Sequence, residues 1–249
     1  MKILFTICGR AGSKGIKNKN IRVFCGKHLV DYTVSAIDLY IKRHSDIEWD
    51  IAVSSDSAAL LELVTNNQMC KVETIIRNKE LAGETVGKIP VIDDCLKKMQ
   101  ERNDTKYDLV IDLDITSPLR TVEDLEHVIE KQMETNADVT TTVATARRNP
   151  YFNQVKRTPH GVKKVIASDY TARQQAPEIF DMNASIYAYK PEFLSSGKGV
   201  LDGYCEIVEM YDTGILDLDH ENDFELMEVI ATYLFTKYDG FREIHDNIP

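Results

Sequence analysis

Ile3-Leu4-Phe5-Thr6-Ile7-Cys8-Gly9-Arg10-Ala11-Gly12-Ser13-Lys14-Gly15-Ile16-Lys17-Asn18-Lys19-Asn20-Ile21 passes from an apolar run straight into a basic, glycine-bearing loop. The run is β-branched and aromatic, which suits a buried first strand of a parallel sheet. Lys2, Arg10, Lys14, Lys17, Lys19, Arg22 and Lys27 all precede the first acidic residue, Asp31, in a chain of formal net charge −10. So basic a stretch on an acidic protein marks a local site for an anion. Glycines at 9, 12 and 15 let backbone amides approach that anion, while Arg10, Lys14 and Lys19 supply compensating charge. A nucleotide triphosphate is the natural candidate.

Outward from the loop, apolar positions between Tyr32 and Ile41 recur at helical spacing. Residues 50–54 read as a second strand, followed by the capping cluster Ser54-Ser55-Asp56-Ser57 and a helix bearing Leu60, Leu61, Leu63 and Val64. A third strand is expected at 72–76, ending at Arg77. The helix expected at about 85–100 carries Ile89, Ile92, Leu96 and Met99 on one side, with Pro90 in its first turn. Residues 108–115 then form a strand on which Asp112 and Asp114 share a face. The turn Thr116-Ser117-Pro118-Leu119-Arg120 hands over to a helix capped by Thr121, with Asp124 three residues on.

This alternation predicts an α/β fold: a mostly parallel, twisted sheet flanked by helices, since parallel strands require long crossovers. Ligands of such folds bind outside the carboxyl ends of the strands, where the basic loop, Asp56, Arg77 and the 114–120 turn all fall. From Val139 to about 166 the pattern breaks into short strands at 140–143 and around Phe152 and Val162. It predicts a small antiparallel excursion at about 140–180 able to carry a subunit interface. Asn183 to Tyr189 returns to the core as a strand, Ile215-Leu216-Asp217-Leu218-Asp219 reads as the last strand, and about 222–237 as a closing helix with Phe224, Met227, Ile230 and Leu234 inward. Residues 1–249 contain no repeat or linker, so a single domain with that excursion is expected.

With 249 residues and 43% hydrophobic content the chain can bury a substantial core. Its acidic balance, with a pI near 5.1, disfavours nucleic acid and anionic membranes as partners. Cys8, Cys25, Cys70, Cys95 and Cys205 form no C-x-x-C pair and read as thiols of a reducing compartment. No separate apolar signal region is seen, and no run approaches the roughly 18 to 20 apolar residues of a membrane span, so a cytoplasmic protein is expected.

The basic loop lacks the G-K-[ST] ending of a Walker loop and the G-x-G-x-x-G of a dinucleotide fold. Asp217 and Asp219, two apart, suit one Mg²⁺, which takes one or two protein carboxylates beside phosphate oxygens and water. Surface aspartates or helix caps would show the same spacing. Asp112 and Asp114 repeat it within an apolar strand, and spacing does not decide which pair meets a metal.

Taken together, the run from Arg10 to Asn20, the segment Arg77 to Thr85 (Arg-Asn-Lys-Glu-Leu-Ala-Gly-Glu-Thr), the turn Thr116 to Arg120 (Thr-Ser-Pro-Leu-Arg), the strand Asn183 to Tyr187 (Asn-Ala-Ser-Ile-Tyr) and the Asp217-Leu218-Asp219 ending resemble the acylneuraminate cytidylyltransferases, or CMP-sialic acid synthetases. The resemblance spans nearly the whole chain in the family's order. It implies a homodimeric, Mg²⁺-dependent enzyme that joins CTP to a nine-carbon 2-keto-3-deoxy sugar acid and releases pyrophosphate. By the same resemblance, Arg10, Gly12, Ser13, Lys14 and Lys19 hold the triphosphate, Asn20, Arg77 and Thr85 complete the nucleotide site, and Asp217 and Asp219 bind the metal. Arg10, Lys14, Lys19, Asp217 and Asp219 form the expected catalytic set. Asp114, Arg173, Gln174, Asn183 and Tyr187 fall on the side of the sugar acid.

Two positions depart from the sialic acid pattern. Asp114-Ile115 stands where a glutamine-proline precedes Thr-Ser-Pro-Leu-Arg, and Asp181 replaces an arginine before the Asn183 strand. Exchanging an amide and a cation for two acids changes how sugar substituents are held. Thr6-Ile7-Cys8-Gly9-Arg10 with Asp112-Leu113-Asp114 looks more like the bacterial branch that activates legionaminic acid, a diacetamido relative of sialic acid. Sialic acid itself is the nearest alternative, while Lys19-Asn20-Ile21 argues against the eight-carbon keto-deoxy-octulosonate enzymes. A non-catalytic nucleotide-binding protein would have no need of the acidic pair.

Overall fold

The opening apolar run is the centre of a sheet. The computed structural model describes all residues except Ser13, Lys14, Glu84, 214–217 and Asp219. In it β1 (Lys2–Cys8) pairs in parallel with β4 (Glu48–Ser55) on one side and β6 (Leu109–Leu113) on the other. Ile3, Phe5 and Ile7 enter one buried cluster and Leu4 the opposite one, so the alternation of a strand covered on both faces accounts for an unbroken apolar run.

Beyond β4 lies β5 (Glu73–Ile76), also parallel. Beyond β6 the sheet continues through β10 (Phe180–Tyr189), β7 (Val139–Thr145) and β11 (Cys205–Glu209). Among the described residues the seven-stranded order is β11-β7-β10-β6-β1-β4-β5. β10 runs antiparallel to β6 and β7, whereas β11 is parallel to β7. The short strands β2 (Val23–Phe24) and β3 (Lys27–His28) pair with each other, as do β8 (Val155–Thr158) and β9 (Gly161–Lys164).

The crossovers are helical. On one face α1 (Leu29–Arg43), α2 (Ala58–Thr65), α4 (Val122–Thr135), α6 (Glu221–Lys237) and α7 (Asp239–Asp246) contribute Leu29, Leu60, Leu125, Phe224 and Phe241 to a single cluster. On the other, α3 (Lys88–Asn103) and α5 (Pro191–Leu194) contribute Ile92, Leu96 and Phe193. Expected caps are in place. Ser57 Oγ accepts from Leu60 N at 3.3 Å, and Thr121 with Asp124 forms a reciprocal capping box. Pro90 is the third residue of α3, within the first turn as expected.

The α/β fold with a mostly parallel sheet between helices is the one the sequence predicts, but its later strands differ in detail. Thr140, Thr141 and Thr142 are fully buried in the main sheet, so the antiparallel excursion begins after β7 rather than with it. Threonine suits an inner strand because its shape is that of valine and its hydroxyl finds partners: Thr140 Oγ1 donates to Gln132 Oε1 at 2.6 Å. Phe152 lies in a turn whose amides, from 152 to 154, donate to the Asn149 carbonyl, and the hairpin strands follow it. β11 went unpredicted because Cys-Glu-Ile-Val-Glu is an edge strand with only Val208 buried, leaving little apolar pattern. The strand expected at 215–219 falls outside the described residues apart from Leu218, which is buried.

Candidate active site

The direction of strand addition reverses at β1, whose successor β4 lies on one side and whose later partner β6 lies on the other. Such a switch point opens a crevice at the carboxyl ends of the two strands. Here a cleft of about 370 Å³ is lined by Cys8 and Arg10 after β1, Asp114 and Thr116 after β6, and Lys19, Asn20, Arg77 and Lys88 around them.

The basic loop is shaped by side chains from its surroundings. Ile16 is fully buried in the core and anchors the loop's middle, a burial worth roughly 1.5–3 kcal/mol. Ala11 N donates to Asp56 Oδ1 at 2.7 Å, and Asn20 Nδ2 donates to the Arg10 carbonyl at 3.1 Å. Lys19 Nζ reaches the carbonyl of Leu218. Arg22 closes the loop by pairing with Glu221 and lying 4.1 Å from the Phe224 ring centre. Gly12 has φ +74, where a side chain would be strained. Gly9 serves packing rather than anion approach: it is buried, and a Cβ there would lie 2.5 Å from Leu60 Cδ2.

Arg77 is a buried cation at the far wall. Its Nη2 donates to the Ser54 carbonyl at 2.8 Å and its Nε to Ser54 Oγ at 3.3 Å. The near wall is an ion cluster. Lys88 Nζ lies 2.8 Å from Asp112 Oδ2 and 2.7 Å from Asp114 Oδ2. Asp112 Oδ1 also accepts from Thr6 Oγ1 at 2.9 Å, and Asp114 Oδ1 from the amide and hydroxyl of Thr116 at 2.8 and 2.7 Å. The face shared by Asp112 and Asp114 is therefore real, and a lysine occupies the place between the two carboxylates.

Burial alone would push the Asp114 carboxyl up, but the Lys88 ammonium and the bonds from Thr116 outweigh it and bring it down to about 2. Burial works against the charge on Lys88 too, and the two carboxylates more than compensate, holding it well above the usual lysine value. Beneath the turn, Arg120 donates from Nη2 to the carbonyls of Asp114 and Ser117 and from Nε to Ser117 at 3.1 Å. The Cys8 thiol is held well above its usual value by contact with Cys95 and by burial, which makes it an inert part of the lining.

Of the residues expected from sequence, Arg10, Lys19, Asn20, Arg77 and Asp114 converge on the cleft, and Gly12 lines a small hollow adjoining it. Ser13, Lys14, Asp217 and Asp219 lie outside the described residues. Thr85 is exposed and is not part of the lining, although Gly83 and Val86 on either side are. Tyr187 is buried behind the cleft, its ring 5.9 Å from Lys88 Nζ. Asn183 is turned inward: its Oδ1 accepts from Thr142 Oγ1 at 2.6 Å and from Ser185 N at 3.3 Å, fixing an irregular stretch of β10 where Ala184 has φ +52. Arg173 and Gln174 line a separate hollow of about 300 Å³ with Thr145 and Asn149, and Arg173 Nη2 donates to the Ala146 carbonyl at 2.9 Å. Lys88 is the cleft residue that sequence reasoning missed. The expected helix start at about 85 hid it; only with α3 starting at Lys88 does its charge oppose the helix dipole and call for a tertiary partner.

Residues 4–231 match the protein family described as Cytidylyltransferase. The chain is 34% identical over 229 residues to post-translational flagellin modification protein B of Campylobacter coli, covering 92% of this chain and 94% of that one. It is also 34% identical over 232 residues to the CMP-N,N'-diacetyllegionaminic acid synthase of Campylobacter jejuni, covering 93% and 95%. Among solved structures, CMP:2-keto-3-deoxy-manno-octonic acid synthetase complexed with CTP superposes with a TM-score of 0.62 at 14% identity, covering 94% of this chain and 99% of that one, which is a likeness of fold.

Proposed function

The chain belongs to the cytidylyltransferase family, and from that premise we propose that it couples CTP to a nine-carbon 2-keto-3-deoxy sugar acid, N,N'-diacetyllegionaminic acid, giving the CMP-sugar and pyrophosphate. The observation that carries this reading is the convergence of Arg10, Lys19, Asn20 and Arg77 with Asp114 in one cleft at the switch point. The anomeric oxygen of the sugar acid attacks the α-phosphorus, the bond to the bridging oxygen of the β-phosphate breaks, and pyrophosphate leaves with that oxygen. The hydroxyl proton is lost in the same step. No covalent enzyme intermediate is needed, so the protein's contribution is alignment of the two substrates and neutralisation of phosphate charge.

In this reading Arg10, Ser13, Lys14 and Lys19 hold the triphosphate, and Arg77 and Asn20 place the nucleoside. Asp217 and Asp219 would hold a Mg²⁺, whose chemistry is to neutralise phosphate oxygens. Their hard carboxylate donors fit that ion. Supporting this assignment, Lys19 reaches the carbonyl of Leu218, the residue between them, and the rival pair Asp112 and Asp114 already shares Lys88. The enzyme acts as a cytoplasmic homodimer in which the excursion, with Arg173 and Gln174, serves the neighbouring subunit. Exposed Val155 and Val162 on the β8–β9 hairpin and five unpaired cysteines are consistent with that reading.

The test is to supply CTP and Mg²⁺ with legionaminic, sialic and octulosonic acids separately and to follow pyrophosphate. Release with the diacetamido acid above the others is expected. Preference for sialic acid would overturn the substrate, and CTP binding without release on any acid would overturn the reaction.

A further inference from the structure

The Lys88–Asp114 pair lies in the cleft yet has chemistry left over. An ammonium carries three donors, of which Lys88 gives one each to Asp112 and Asp114; for the third the described residues offer no hydrogen-bond acceptor, only the face of the Tyr187 ring 5.9 Å away. The Lys88 side chain is 33% exposed and that of Asp114 16%, so both present polar atoms to the cleft they line. Asp112, by contrast, is fully buried and acts from behind, its other oxygen engaged by Thr6. Sequence motifs gave Lys88 no role, and holding Asp114 in place does not require a residue that costs helix-dipole energy at the start of α3.

The charge of the cluster says which part of a ligand it faces. Two carboxylates around one ammonium, with the Arg120 guanidinium beneath the turn, leave no net positive charge, which gives a triphosphate no pull and suits an uncharged, hydrogen-bonding group. Position agrees. Arg77 follows β5, three strands from β6 and Asp114, a separation of about 14 Å at the usual strand spacing. A nucleoside placed by Arg77 therefore leaves the Asp114 end of the cleft to the second substrate. There the pair offers a carboxylate acceptor and an ammonium donor 2.7 Å apart. Neighbouring substituents on a six-membered sugar ring present their oxygens and nitrogens at a similar spacing.

We propose that Lys88 and Asp114 together recognise two adjacent polar substituents on the ring of the sugar acid, Asp114 accepting from an N–H or O–H and Lys88 donating to the neighbouring oxygen. This rests on the reading that the cleft takes a sugar acid. Lys88 is then a specificity-determining residue, held in register from behind by Asp112. The charged pair gives strong, directional recognition, because charge-assisted hydrogen bonds are the strong ones.

The test pairs a variant with a substrate analogue. The favoured sugar acid is compared with its analogue lacking the ring hydroxyl beside the acylamino group, using wild type, Lys88→Met, Lys88→Arg and Asp114→Asn, with KM for CTP measured alongside. Wild type is expected to lose about 10- to 100-fold in kcat/KM on the analogue, the size of one bond to a charged group. In Lys88→Met the two acids should differ by less than about threefold while KM for CTP holds, because a bond already lost cannot be lost again. Lys88→Arg, which keeps the donor, should retain part of the discrimination. An unchanged ratio between the two acids in Lys88→Met would show a merely structural lysine, and a raised KM for CTP with the ratio intact would assign it to the nucleotide. Should Lys88→Met fail to bind CTP, the nearly isosteric Asp114→Asn decides the matter by the same ratio: a collapse of discrimination supports the pair, and an unchanged ratio overturns it. Wild type inactive on every sugar acid would overturn the underlying reading as well.

Discussion

The amide of Ala11 and the carboxylate of Asp56 meet at 2.7 Å, joining the loops that follow two neighbouring strands, β1 and β4. A long loop rich in glycine loses much conformational entropy when it closes on a ligand, and this contact removes part of that cost in advance. Asp56→Ala should therefore raise the Kd for CTP about tenfold while reducing stability by only about 1 kcal/mol, the net value of one exposed hydrogen bond. Calorimetric titration with CTP beside a thermal melt separates the two effects. Unchanged CTP affinity would mean that the loop is ordered by other contacts.

Gly9 gives a steric test of the same loop. A methyl group there would lie 2.5 Å from Leu60 Cδ2, 2.9 Å from Ile115 Cδ1 and 3.0 Å from Asn20 Nδ2. Leu60 and Ile115 are core residues with little room to yield. Gly9→Ala should cost about 1–3 kcal/mol by overpacking and displace Asn20 from the Arg10 carbonyl. Urea denaturation should show the loss of stability, and kcat/KM for CTP should fall with it. A variant of wild-type stability would contradict the packing role.

What the sequence made legible follows from how local each signal is. β1, β4, β5 and β6 were readable because their apolar runs and capping residues act within a few positions, as Thr121 and Asp124 do. The convergence of Arg10, Arg77 and Asp114 was also legible, since alternation of strand and helix places all three at one sheet edge. Lys88 was not, because its partners Asp112 and Asp114 are 24 and 26 positions away and only tertiary packing supplies them. The partner of Asn183 was hidden in the same way, since Thr142 lies 41 positions away and meets it only across β7 and β10. β11 was hidden because its two glutamates fall on opposite faces of the strand and Val208 alone is buried to announce it.

Arg120 is 1% exposed and carries no carboxylate partner within salt-bridge distance among the described residues, yet it donates to two turn carbonyls. Burial brings its guanidinium down to about 10, still protonated at neutral pH. Arg120→Met removes those donors and leaves the Asp114 and Ser117 carbonyls short of partners, which should cost about 2–4 kcal/mol. Arg120→Lys should recover less than half, because an ammonium lacks the planar fork that spans both carbonyls. The midpoints of urea unfolding rank the three proteins. Equal midpoints for Met and Lys would show that the fork geometry is not what holds the turn.

Asp114 should also leave a signature in acid. It faces Lys88 from α3, Asp112 from β6, Thr116 and Arg120 from its own turn, and Tyr187 from β10. Folding lowers its carboxyl from 3.8 to about 2, so between those values the unfolded chain takes up a proton that the folded one does not. The resulting stability, about 2 kcal/mol, is complete above pH ~4 and is lost as the pH falls through ~2. Asp114→Asn cannot titrate, so its stability gap from wild type should narrow by that amount from pH 5 to pH 2. Lys88 stays charged throughout this range and does not blur the measurement. Urea melts at half-unit pH intervals would reveal the narrowing, and parallel curves for the two proteins would mean that Lys88 and Asp114 are not coupled in the folded state.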